Sequence, residues 1–237
     1  MKELRIAGFM AMFFLLFFSL GLCADAGFRS IEEFGEWMTF YYSSPIPEKV
    51  PGALEYFTAS DMYKTNVTMP TVAFFSALFK KDAVIMKKTF DEVSQNGSED
   101  SKIMLVNILS LANTPESREL LEKAKGSWGS ERLQTVIARK ISGMHEDIYT
   151  MPVDSPLLLD MLWASFSATG DDLPVRRIIS VLHLLQDGNG EEIIVGGAAN
   201  WSLKSNAQLH PRIMEICKQE LSVAQQPTKS LLEEVIK

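Results

Sequence analysis

Apolar residues return every three to four positions along almost the whole chain after residue 30. No stretch alternates apolar and polar residues with the Val, Ile and Thr enrichment of a strand. A chain patterned in this way buries its apolar stripes by packing helix on helix, so the expected fold class is all-α. Start and stop signals cut the pattern into about eleven helices joined by short turns. Ser30 followed by Glu33 has the form of a capping box ahead of Phe34, Trp37, Met38 and Tyr41. Thr114-Pro115-Glu116 is a cap followed by proline at the first helical position, where a missing N–H costs little. Asn96-Gly97 makes a turn, with Ser98 as the next cap. The spacing predicts further helices over about 51–59, 70–80, 83–94, 99–111, 115–125, 130–142, 155–168, 173–186, 191–203 and 211–222.

Short turns between these helices imply antiparallel helix pairs, and two architectures stay open. Pro115, Pro174 and Pro211 each stand near the first turn of the second helix of a pair, as in an irregular α-solenoid of the HEAT or TPR kind. Their separations, 59 and then 37 residues, set no fixed period, which suits an irregular helical bundle equally well. The expected organisation is a targeting segment over 1–26, one helical domain over 27–222, and a linker with a short helix over 223–237. In that last stretch Leu231, Leu232, Val235 and Ile236 make an apolar stripe that either docks or stays loose. Twelve of the eighteen aromatic residues after position 26 lie between Phe28 and Phe79, and core packing is their expected use.

The first 26 residues have the pattern of a secretory signal. Lys2 and Arg5 precede eighteen uncharged residues, Ile6 to Cys23, and small residues follow at Ala24 and Ala26. The expectation is export to the periplasm or cell envelope, with an uncleaved membrane anchor as the alternative, because eighteen residues is near the lower limit for a span. Removal of this segment leaves Cys217 as the single cysteine, so the domain is held by its core rather than by a disulfide, with Cys217 a buried apolar residue. A net charge of −7 argues against nucleic-acid binding, which calls for a basic face.

Catalytic and cofactor signatures are missing from the sequence. His145-Glu146 opens like the zinc motif HExxH, but Tyr149 stands where the second histidine belongs. Asp187-Gly188-Asn189-Gly190-Glu191-Glu192 has neither the glycine nor the terminal glutamate placement of a calcium loop, and reads as a helix end, a glycine turn and an acidic first turn. Lys80, Lys81, Lys87 and Lys88 read as a solvated charged face. No metal and no cofactor is expected.

Two segments carry more specific features. Gly196 to Ala199 forms a small-residue patch that admits a neighbouring helix, and Asn200, Ser202, Ser205, Asn206, Gln208 and His210 follow it. These polar residues either cap a helix end or, with Trp163 and Trp201, line a binding recess in which Asn206 and His210 make the polar contacts. For Asn206 capping is expected. His210, held extended by Pro211, is expected to aim its ring outward. The segments Leu159–Asp171 and Gly196–Pro211 resemble uncharacterised exported helical proteins of Gram-negative bacteria; the resemblance implies an exported all-α protein and carries no activity. The expected function is an exported helical binding protein with a protein or peptide partner in the envelope, nucleic acid excluded, and a membrane involved only if the first segment stays attached. An envelope enzyme with a site assembled from distant residues, or a membrane-anchored accessory factor, are the alternatives.

Overall fold

The computed structural model describes residues 27–143 and 147–237. It is all-α: the described residues hold thirteen α-helices, one of them a single turn, and one short 3-10 turn, joined by turns and loops, with no strand among them. In chain order they are α1 Ile31–Phe40, the 3-10 turn Pro47–Lys49, α2 Val50–Ala59, α3 Thr68–Lys81, α4 Ala83–Asn96, α5 Glu99–Ala112 and α6 Pro115–Ser127. There follow α7 Glu131–Ser142, α8 Pro156–Thr169, α9 Asp172–Ile179, α10 Leu184–Asp187, α11 Glu191–Leu209, α12 Pro211–Leu221 and α13 Thr228–Val235.

The helix starts use the caps written in the sequence. Ser98 Oγ accepts the Ser101 N–H at 3.2 Å, and Thr114 and Ser117 form a reciprocal capping box around Pro115. At α1 only half of the expected box forms. Ser30 Oγ accepts from Glu33 N, but the Glu33 carboxylate reaches one residue further back, to Arg29 N at 2.9 Å, and also accepts from Lys49 Nζ. The ammonium of Lys49 holds the carboxylate off its own cap.

Two helices fill the centre because their sequences allow nothing else. Nine consecutive residues of α3, Thr71 to Phe79, are buried, and so are most residues of α8 from Leu158 onwards. A helix that is apolar all round must be enclosed by others. These two pack together more extensively than any other pair, with α5 and α1 beside them. Ser76, mid-helix in α3, is satisfied by Val72 O at 2.7 Å and by Ile108 O of α5 at 2.9 Å. The α3–α8 pairing joins helices far apart in sequence, whereas a solenoid stacks each repeat only on its neighbours. The arrangement is that of an irregular bundle. The aromatic-rich start is core: Phe28, Phe34, Trp37, Tyr41, Phe57, Phe74, Phe75 and Phe79 are all buried.

Two boundaries differ from the sequence expectation. The stretch 173–186 is not one helix: after Ile179 the backbone tightens into three-residue turns, with Leu182 N bonded to Ile179 O and Leu184 N to Val181 O. The His183 ring takes the Ser180 carbonyl at 2.9 Å, which removes that oxygen from the helical ladder. The second difference is at α11, which runs to Leu209 rather than ending near Leu203. It stops where Pro211 forces His210 out of the helical region, at φ −122° and ψ 106°.

The small-residue patch does admit a neighbour. A Cβ on Gly196 would lie 2.2 Å from Leu185 N and 2.7 Å from Leu184 C, so α11 touches the main chain of α10 there. The C-terminal helix α13 is docked, with Leu231, Leu232 and Val235 buried. Cys217 is fully buried on α12, and burial pushes its thiol up to about 11. Its thiolate is therefore scarce and shielded. Folded protein lacking residues 1–26 should take up no thiol label over minutes at pH 8, while the same protein in denaturant should label once per chain, as mass spectrometry would read.

Candidate functional site

Three of the four residues singled out from the sequence meet in one place. The end of α1, the C-terminal half of α8, the end of α11 and the α11–α12 junction enclose a recess of about 220 Å³. Its lining is Met38 and Thr39 from α1, Trp163, Ala164, Phe166 and Ser167 from α8, Asn206 from α11, and His210. Trp201 does not belong to it. That side chain lies on the solvent face of α11, 72% exposed, roughly a third of a turn round the helix from Asn206.

Local rules build the recess. Gly170 ends α8 in the left-handed conformation (φ +70°), and a Cβ there would come within 2.9 Å of the Tyr42 ring. Glycine thus lets the chain leaving α1 lie down on α8, where Tyr42 N donates to Ser167 O at 2.9 Å. Tyr42 then reaches His210, 168 positions on: its hydroxyl is 3.2 Å from Nδ1. The imidazole is packed among Phe40, Tyr42 and Phe166, with ring centroids 5.1, 5.7 and 5.9 Å away. On the opposite wall Trp163 Nε1 donates to Ser202 Oγ at 3.0 Å, which fixes the indole against α11.

His210 corrects an expectation. Its backbone is extended, as a residue before proline should be, but its ring is turned inward and the residue is only 2% exposed. The aromatic cluster left by α1 and α8 offers more buried area than solvent does. Asn206 corrects another. It sits inside α11, and its Nδ2 donates to Ser202 O one turn back at 2.9 Å rather than capping a terminus.

The electrostatics are those of a neutral site. None of the eight lining residues carries a formal charge at neutral pH apart from what His210 can acquire. Burial holds the His210 ring below the usual histidine value, and it holds the Tyr42 phenol above its own. Nδ1 is engaged by Tyr42, while Nε2 has no partner among the described residues, and His210 lines the recess. Asn206 Oδ1 and Ser167 Oγ, on two other lining residues, likewise make no hydrogen bond within the described residues. One consequence can be measured. Above about pH 6.5 the ring is neutral folded and unfolded. Below it the unfolded chain takes up the proton first, so stability contributed by His210 falls with pH. Melting of the wild type should therefore drop on acidification below about pH 6.5 by more than that of His210→Gln; parallel curves would contradict a buried neutral imidazole.

Other features of the surface are weaker candidates. Three of the four lysines are dispersed into pairs, Lys80 with Asp147, Lys81 with Asp171 and Lys88 with Glu92. A larger open groove of about 890 Å³ runs between α4 and α6, but charges of both signs rim it and Lys123 bridges it to Asp91. It holds no buried unpartnered histidine, and by volume alone it would be misread as the site. The acidic glycine turn is a helix end, as expected: Gly188 N caps α10 and Glu192 accepts from Asn189 N. His145 and Glu146 lie outside the described residues. Among those described, no group of three or more His, Cys, Asp or Glu side chains is placed to hold a metal, and no helix is long and apolar enough to cross a membrane.

The sequence reading missed Tyr42, Thr39 and Ser167. Tyr42 was visible only as one of an aromatic run, and nothing local connects it to a histidine 168 residues away. Compared with known proteins, the chain matches no family model, no curated protein and no solved structure.

Proposed function

We propose that this is an exported, non-catalytic binding protein of the cell envelope that engages a protein or peptide partner through the recess between α1, α8 and α11. One observation carries the reading: His210, almost wholly enclosed, lines the recess and its Nε2 makes no hydrogen bond within the described residues. A ring nitrogen with no protein partner, on a residue that lines a concave aromatic surface, is free to bond a ligand. The volume fits one inserted side chain, which anchors a partner in the manner of interface hot spots. Export rests on the signal-like pattern of residues 1–26.

Ser167 supplies the test. Its side chain makes no hydrogen bond within the described structure, so Ser167→Leu fills the recess without breaking one. The mature protein, starting near Ala24 or Gly27, should capture a partner from an envelope extract that Ser167→Leu captures at least tenfold less, at a melting temperature within a few degrees. Equal capture by both would end this reading.

A further inference from the structure

The recess also selects a chemical class of ligand, an inference that rests on the binding reading above. A charged group entering it would lose hydration and meet no opposite charge, since no Asp, Glu, Lys or Arg lines it. A purely apolar group would cover His210 Nε2 and Asn206 Oδ1 without replacing their hydrogen bonds to water. The orientation of Asn206 is forced, because Ser202 O can only accept and must face Nδ2; the amide oxygen is therefore what the residue offers. At His210, with the Tyr42 phenol donating to Nδ1, the ring proton lies on Nε2. The site then presents a donor and an acceptor on two different atoms, beside the rings of Trp163 and Phe166.

The geometry points to an uncharged carboxamide as the recognised group: its oxygen accepts from His210 Nε2 and its N–H donates to Asn206 Oδ1, with its flat face against the aromatic wall. An Asn or Gln side chain of a partner peptide has this chemistry. A cavity of about 220 Å³ has room for a group of that size.

The test uses the full folded chain, its three histidines making the imidazole signals assignable by NMR. Acetamide, acetate and 2-propanol are titrated separately, and the His210 ring and Trp163 Nε1 signals are followed. Acetamide should shift both, saturating at about 10–100 mM as a small fragment does. Acetate should leave them in place, and 2-propanol should act at least fivefold more weakly. Asn206→Ala should weaken acetamide by about three- to tenfold with its other signals unchanged. Acetate or 2-propanol matching acetamide would overturn the carboxamide assignment and leave the recess standing as a site. No shift with any of the three would overturn both.

Discussion

Replacing Phe166 by alanine is expected to lower stability by about 3–5 kcal/mol, the range for a large buried aromatic. Phe166 is the wall shared by three elements. Its ring lies 4.8 Å from that of Tyr42, 5.9 Å from His210 and 6.5 Å from Trp163. Truncation removes its own buried area and leaves a cavity that α1, α8 and the α11–α12 junction cannot all close at once. Denaturant unfolding followed by far-UV circular dichroism measures the loss. A cost below about 1 kcal/mol would mean that the end of α1 does not rest on α8 as described. Phe166→Leu should recover roughly half of the loss, because most of the volume returns while the aromatic edges do not.

Gly196→Val should be comparably damaging, at about 3 kcal/mol or more, for a different reason. The added Cβ would collide with main-chain atoms of Leu184 and Leu185, which cannot rotate away as a side chain can. Either α10 lifts off or α11 bends. The neighbouring glycine is the control. A Cβ on Gly197 meets only Leu185 Cδ1, at 3.8 Å, so Gly197→Ala should be neutral or stabilising by up to about 1 kcal/mol through helix propensity. Similar losses at the two positions would contradict the close approach of α10 to Gly196.

The contrast between those glycines shows where sequence patterning stops. Helical spacing, caps and first-turn prolines located nearly every helix, because these are signals within one turn of chain. The small patch at 196–199 correctly announced a close approach, but not that Gly196 faces a main chain while Gly197 faces a side-chain tip. The break after Ile179 was hidden, since Val181, Leu182, Leu184 and Leu185 keep a spacing compatible with one helix and the turn depends on His183 taking a carbonyl. The site was half legible. Trp163, Asn206 and His210 share a recess, yet Trp201 stands outside it because the helix continues through 204–209 and so places Asn206 on a different face of α11 from Trp201. The α1 contribution was invisible: the link from Tyr42 to His210 exists only once α3, α8 and α11 are packed.

Asn206→Ala tests the recess most directly. A residue that capped a turn would cost about 0.5–2 kcal/mol on truncation. Asn206 instead lies within α11 and bonds one turn back, and alanine is the better helix former by a few tenths of a kcal/mol. Melting and partner binding should be measured on the same samples. The expected result is a melting temperature unchanged or slightly raised, with affinity for the captured partner down by about three- to tenfold for one lost hydrogen bond. Unchanged affinity at unchanged melting temperature would contradict a ligand site formed by Asn206 and His210.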